Sequence, residues 1–195
     1  MGSLTQLQKS IIIGSALGDG YLHIVPKRKD AFLEVNHSAK SKDYVDWKYL
    51  MLKNIVKSAP KLRKGNGMRL AYRFITKQHP EITELYEKFY VNGKKRIPKL
   101  KLDPIILAVW FMDDGSKCRK WDVYLNTQQF SLRDQKTLVK MLKDFGLNSS
   151  IQKDKTYYRI RFLKSSVAKL NQIIMAHIIP SMKYKLSYDP VETQF

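Results

Sequence analysis

Cysteine is nearly absent: Cys118 is the only one in 195 residues. That excludes an internal disulfide framework and the cysteine-rich zinc sites. Histidine is scarce too, and His23, His37, His79 and His177 include no pair at metal-ligand spacing. The chain has no GxxxxGK phosphate loop and no GxGxxG fingerprint, which disfavours nucleotide-driven chemistry. No apolar run is long enough to span a bilayer. The run Ile11-Ile12-Ile13-Gly14-Ser15-Ala16-Leu17-Gly18 has the length of a signal core, but Asp19 follows it directly and no ordinary basic n-region precedes it. Acidic residues are the last shortage. Seventeen Asp and Glu face 36 Lys and Arg, a net charge of +19 with a pI near 9.9.

Apolar residues make up 44% of the chain, enough for the core of one large domain or two small ones and too many for disorder. The positive excess calls for an anionic partner, and nucleic acid is the leading one. A membrane surface is the rival, but it usually recruits a basic amphipathic helix. Here the charge is scattered through Lys27-Arg28-Lys29, 61–64 and 117–120, and along candidate strands.

An internal repeat organises the chain. One apolar helix runs into Gly18-Asp19-Gly20 and another into Asp113-Asp114-Gly115, with Asp19 and Asp114 95 residues apart. Amphipathic helices follow, Lys42 to Lys53 and Arg133 to Lys143, sharing Met-Leu-Lys at an offset of 90. Tyr72-Arg73-Phe74 and Ile160-Arg161-Phe162 come next at an offset of 88, each followed by a helix, Pro80 to Tyr90 and Ser165 to Ile179. Each half closes on a basic segment, Lys94-Lys95-Arg96-Ile97-Pro98 and Lys183-Tyr184-Lys185-Leu186. The ordered series, rather than any single tripeptide, carries the repeat.

Alternation predicts the strands. In 69–74, Leu70, Tyr72 and Phe74 share one face, with Arg69 and Arg73 on the other. In 157–162, Tyr158, Ile160 and Phe162 oppose Tyr157, Arg159 and Arg161. In 121–128, Asp122, Tyr124, Asn126 and Gln128 oppose Val123 and Leu125. An apolar back with an Arg, Asn, Gln and Tyr front suits DNA, because Arg bridges guanine edges and Asn or Gln bridges adenine. The strands bearing these arginines hold no acidic residue. Candidate DNA contacts are Tyr21, His23, Arg28, Asn36, Arg63, Arg69, Arg73, Lys117, Arg119, Tyr124, Asn126, Gln128, Lys153, Lys155, Tyr157, Arg159 and Arg161.

The two helix ends are candidate metal ligands. Gly14 and Gly18 lie four apart, a spacing that lets two helix backbones approach closely. Such an approach would bring the C-terminal carboxylates together at the negative ends of two helix dipoles. Divalent cations resolve that repulsion, and oxygen ligands suit Mg²⁺.

These residues resemble the LAGLIDADG homing endonucleases of the single-chain, two-motif kind. Trp110-Phe111-Met112-Asp113-Asp114-Gly115, Leu125-Asn126-Thr127-Gln128 and Met182-Lys183-Tyr184-Lys185-Leu186 carry the resemblance. It implies an α+β fold of two pseudo-symmetric αββαββα repeats, with saddle-shaped antiparallel sheets and paired motif helices at the centre. The repeats would be 4–91 and 104–195, joined by a linker at 92–103. By the resemblance, Asp19 and Asp114 bind metal, with Gly18 and Asp113 beside them as further ligands. Lys95 and Lys185 complete the two active sites, and Asn126 lies near the cleavage pocket. The family's small residues persist in the first motif, whereas Val109 and Asp113 replace them in the second.

The implied activity is a Mg²⁺-dependent double-strand break in a long, partly palindromic DNA target, leaving short 3′ overhangs. Mn²⁺ or Ca²⁺ would substitute in binding, Ca²⁺ without cleavage. The partner would be duplex DNA, met by a monomer without a membrane, with intron RNA as a further partner. An RNA-binding intron maturase that cuts no DNA is the alternative. The resemblance suggests an organellar intron origin; no transit peptide is visible, as translation inside the organelle would allow.

Overall fold

A computed structural model of the chain describes residues 2–65 and 69–186. The expected second repeat runs to 195, and its last stretch, 187–195, lies outside the described residues. The chain divides into two compact units, Met1–Arg96 and Ile97–Phe195.

The first unit runs α1 (Gln6–Leu17), β1 (Tyr21–His23), β2 (Phe32–Ser38), α2 (Lys42–Leu52), β3 (Lys61–Lys64), β4 (Leu70–Ile75) and α3 (Pro80–Phe89), and ends on a small hairpin of β5 (Tyr90–Val91) and β6 (Lys94–Lys95). The second runs α4 (Pro104–Asp114), β7 (Gly115–Arg119), β8 (Asp122–Leu125), α5 (Leu132–Asp144), β9 (Ser149–Asp154), β10 (Tyr157–Phe162) and α6 (Lys164–Ile174), and continues into 3₁₀ turns at Met175–His177 and Pro180–Lys185. Each is an αββαββα unit, and each four-stranded sheet is antiparallel with matching order, β1-β2-β4-β3 and β7-β8-β10-β9.

Local chemistry starts the helices. Thr5 and Gln8 form a reciprocal capping box at the start of α1. Asp103 accepts from the Ile106 N–H, with Pro104 in the first turn of α4. Ser131 caps α5 through the Asp134 N–H. The cores form behind the sheets. Leu33, Val35, Tyr72 and Phe74 turn inward beneath α2 and α3, and Val123, Leu125, Ile160 and Phe162 turn toward the layer that α5 builds on β9 and β10. Burying each such side chain contributes about 1.5–3 kcal/mol. No helix among the described residues is long and apolar enough to cross a membrane.

Several boundaries differ from expectation. The strand expected over 121–128 stops at Leu125. There the Asn126 N–H turns to the Asp114 carbonyl (2.9 Å), while Gln135 Nε2 donates to the carbonyls of Thr127, Phe130 and Tyr158 and holds the following turn. Asn126 and Gln128 therefore lie off the strand. Arg69 precedes β4, and Leu70, at the strand's first position, is exposed rather than in the core; Tyr158 is exposed as well. The helix expected to reach Tyr90 ends at Phe89, because Tyr90 pairs with Lys95. The segment expected as a linker, 92–103, begins inside that hairpin. The helix expected to reach Ile179 ends at Ile174 and tightens into a 3₁₀ turn.

Candidate functional site

The two motif ends share a sequence pattern but not a helix register. α1 stops at Leu17, where the Gly18 N–H reaches the Gly14 carbonyl (3.1 Å) and the Gly20 N–H reaches the Ser15 carbonyl (2.7 Å). Asp19 thus lies past the last turn. Its side chain is 52% exposed, and Oδ2 is 3.7 Å from Nδ1 of His37 on β2. α4 stays helical through Asp114. The Asp114 carboxylate consequently lies one turn above Trp110 on the same helix face. It is 7% exposed, and Oδ2 accepts a hydrogen bond from Trp110 Nε1 at 3.2 Å. Asp113, one position earlier, is only half-buried.

The residue after each motif aspartate must be glycine. A Cβ on Gly20 would lie 2.7 Å from the Ser15 backbone, and one on Gly115 only 2.3 Å from the Phe111 carbonyl oxygen. The chain passes from helix to strand at these points with no room for a side chain.

Lys95 and Lys185 each sit on the end of the motif helix in their own unit. Lys95 Nζ donates to the carbonyls of Gly18 (2.9 Å) and Gly20 (3.2 Å). Lys185 Nζ donates to those of Met112 (2.6 Å) and Asp113 (3.1 Å). Both ammonium groups meet the negative pole of a helix. The scaffolds differ: the β5–β6 hairpin presents Lys95, and the 3₁₀ turn Pro180–Lys185 presents Lys185. Burial pushes the neighbouring Tyr90 phenol up to about 12, so it stays neutral beside Lys95. The Gly18 and Asp113 carbonyls therefore already accept from an ammonium.

The donors fit a hard divalent cation. Asp19 offers an exposed carboxylate beside a main-chain carbonyl. The second motif offers a half-buried carboxylate and a buried one, again with carbonyls. Such oxygen sets suit Mg²⁺ or Ca²⁺ better than zinc.

Strand register sorts the proposed DNA contacts. In the first sheet Tyr21 stands opposite Glu34, His23 opposite Phe32, Asn36 opposite Arg73, Lys61 opposite Arg73, and Arg63 opposite Ala71, all on the face away from the buried Leu33, Val35, Tyr72 and Phe74. Arg28 lies in the β1–β2 connection. In the second sheet Tyr124 pairs with Arg161, Arg159 with Gln152, and Tyr157 with Asp154. The bulge after Lys117 brings Arg119 opposite Asp122. Lys117 and Lys153 fall on the other register, opposite Val123 and Tyr158, and Lys117 Nζ donates to the Leu186 carbonyl (2.8 Å). Lys155 sits at the β9–β10 turn with φ +55°. Gln128 Nε2 donates to Asp154 (3.0 Å), and the Arg159 guanidinium stacks 4.0 Å over the Tyr124 ring.

Strand composition overstated how bare the arginines are. Neighbouring strands supply carboxylates: Glu34 for Arg73 at 3.2 Å, Asp122 for Arg161 at 2.5 Å and Asp154 for Arg159 at 3.9 Å. Only cross-strand register exposes these partners. His37 and Trp110 were also missed, although Trp110 and Asp114 have the i, i+4 spacing of a helix face.

Twice-repeated αββαββα units, each pairing an acid-tipped helix with a basic antiparallel sheet, define the class. A model of the LAGLIDADG DNA endonuclease family matches residues 9–170, and the chain belongs to that family. It is 32% identical over 206 residues to the probable intron-encoded endonuclease 1 of Wickerhamomyces canadensis, covering 96% of this chain and 87% of that protein. It is 31% identical to the cytochrome b mRNA maturase bI2 of Saccharomyces cerevisiae, over 95% of this chain and 48% of the maturase. The RecA protein of Mycolicibacterium chitae is 32% identical over 94% of this chain and 47% of its own. The chain thus spans about half the length of the maturase and RecA relatives. Among solved structures, the homing endonuclease I-WcaI bound to its DNA recognition sequence matches with a TM-score of 0.88 and 28% identity, over 97% of this chain and 89% of that one.

Proposed function

We propose that the chain is a site-specific homing endonuclease that makes a metal-dependent double-strand break in a long, partly palindromic DNA target with short 3′ overhangs. The observation that carries this reading is the pair of lysines, Lys95 and Lys185, each set on the carbonyl end of the helix bearing a motif aspartate. Residues 4–91 and 104–195, joined through 92–103, each serve one half of the target. Asp19 and Asp114, with the carbonyls of Gly18 and Asp113, would hold Mg²⁺. Mn²⁺ would replace it, and Ca²⁺ would bind without turnover. A bound divalent ion supplies Lewis acidity at the scissile phosphate and lowers the pKa of a coordinated water.

The chain's own groups do the rest. Lys95 and Lys185 place positive charge where the pentavalent phosphate gains negative charge. Asn126, tied through its N–H to the Asp114 carbonyl, offers its amide to position water or phosphate. The outer faces of the two sheets bind the duplex as a monomer, and log affinity falls with log salt with a slope of several units. An organellar intron is the proposed origin.

A maturase reading is favoured by one observation: a similar yeast protein is named for maturation of cytochrome b mRNA. One experiment separates the two. Asp19→Asn and Asp114→Asn proteins are assayed for DNA binding and for cleavage with Mg²⁺. Cleavage is expected to fall by roughly 100-fold or more with binding retained. Undiminished cleavage by Asp114→Asn would shift the metal role to Asp113. A wild-type protein that binds folded intron RNA and never nicks DNA would establish the maturase reading.

A further inference from the structure

The arginine–carboxylate pairs on the two sheets occupy equivalent places. Arg73 on β4 stands opposite Asn36 of β2, and its partner Glu34 lies two residues back along β2. Arg161 on β10 stands opposite Tyr124 of β8, and its partner Asp122 lies two residues back along β8. All three positions shift by 88 residues: Glu34 to Asp122, Asn36 to Tyr124, Arg73 to Arg161. Both pairs lie on the outer sheet face, away from the layer of covering helices.

In a chain with 17 acidic residues against 36 basic ones, a carboxylate on a face meant for DNA needs a reason. It repels phosphate, and it neutralises the arginine best able to bind one. Stabilising an exposed sheet is a weak reason, since surface ion pairs contribute little.

Hydrogen-bond order supplies a better one. Across the major groove, a G·C pair presents acceptor, acceptor, donor: guanine N7, guanine O6, cytosine N4. An arginine hydrogen-bonded side by side to a carboxylate presents donor, donor, acceptor. No other base pair, and no reversed C·G, matches that sequence, because each would set donor on donor or acceptor on acceptor. The guanidinium can serve both neighbours. Arg73 gives Nη1 to Glu34, and Arg161 gives Nη2 to Asp122, which leaves most of the five N–H donors of each. Arg161 Nε is buried, so its two terminal nitrogens make the guanine-facing edge.

We propose that Glu34–Arg73 and Asp122–Arg161 are two copies of one base-pair reader, each recognising a single G·C pair at the corresponding position of its own half-site. The proposal rests on the DNA-binding reading above and assigns Glu34 and Asp122 a positive role in specificity.

The test is selection of bound sites from a randomised duplex library, sequenced position by position. Four proteins are compared: wild type, Asp122→Leu and Glu34→Met, which remove the acceptor at similar size, and a pair exchange carrying Asp122→Arg with Arg161→Asp. In each single variant, the preference for G·C is expected to fall roughly tenfold at one position, with the rest of the site unchanged. The affected position should lie in opposite half-sites for the two variants. The exchange keeps an ion pair on the sheet but reverses its order, so it should select C·G where wild type selects G·C. Preferences unmoved in the single variants and in the exchange would overturn the proposal and reduce the pairs to structural bridges. If wild type selects no site at all, the DNA-binding reading itself fails, a different result from bound sites with unmoved preferences.

Discussion

The two motif ends place similar oxygen groups on two different local structures. In the first unit α1 has already ended, so Asp19 projects from a turn, half-exposed beside His37. In the second, α4 continues through Asp114, which is folded back on Trp110 and nearly buried. The lysines invert that pattern. A strand pair carries Lys95 and a 3₁₀ turn carries Lys185, yet both ammonium groups arrive on main-chain carbonyls, at the last turn of α4 and just past the end of α1. What the two halves hold in common is the cation on the helix pole and the oxygen groups around it. The supporting element is free to differ.

The largest effect in this comparison is expected at the glycines that close the motifs. An alanine Cβ at Gly115 would meet the Phe111 carbonyl oxygen at 2.3 Å and two of its ring carbons at 2.7 Å. At Gly20 the contacts are 2.7 Å, to Ser15. Because backbone is struck in both, neither clash is relieved by a side-chain turn. Overpacking of this kind costs about 1–3 kcal/mol, and Gly115→Ala should lie at or above the top of that range, with Gly20→Ala below it. Thermal unfolding measures both, with Tm lowered by roughly 5–10 °C for Gly115→Ala. Equal losses would mean the two turns are equally tight and the register difference has no energetic consequence.

Those glycines also mark what could be read directly from the residues. The order Asp19-Gly20, Met51-Leu52-Lys53, Tyr72-Arg73-Phe74, repeated at Asp114-Gly115, Met141-Leu142-Lys143 and Ile160-Arg161-Phe162, discloses two like units because period and order are local properties. The targets of Lys95 and Lys185 are not local: each contact spans more than 70 residues of chain. Strand composition does not disclose Glu34 and Asp122 as partners of Arg73 and Arg161, because it does not specify which diagonal neighbours meet. Alternation continues past Leu125 and predicts Asn126 on the strand, whereas the Gln135 side chain, ten residues from Leu125, fixes the turn that ends it.

A smaller effect sharpens the contrast between Asp19 and Asp114. Trp110→Phe deletes one donor to the Asp114 carboxylate and keeps most of the buried ring. Losing a hydrogen bond to a charged, buried acceptor costs about 1.5–3 kcal/mol. Asp114 as the working metal ligand predicts that cleavage of one strand slows by roughly tenfold, for a loss of about 1.4 kcal/mol in orientation, while the other strand is cut at the wild-type rate. Nicked duplex would then accumulate, and a higher Mg²⁺ concentration would be needed for linear product. Reduced stability without nicked product would point instead to the half-buried Asp113.

The smallest expected effect concerns how each motif helix is anchored at its start. α4 is capped locally, by Asp103 on the Ile106 N–H. α1 has its capping box and a long-range tie besides, since Glu81 at the start of α3 accepts from the Leu4 N–H at 2.7 Å and from Lys9 on α1. The Lys9 ammonium first, and the Leu4 N–H second, hold the Glu81 carboxyl below its ordinary range. A carboxyl lowered on folding stabilises the protein above its unfolded value, about 4.3, and loses that contribution as pH falls through the lower folded value. Glu81→Gln should therefore lower Tm by about a degree or two at pH 7, a small shift because the pair is partly solvated. The difference from wild type should shrink as pH drops below about 4, where wild-type Glu81 also becomes protonated. Thermal melts of both proteins at pH 7 and pH 3 measure this. A gap of the same size at both would assign the effect to the shape of the Leu4 contact rather than to its charge.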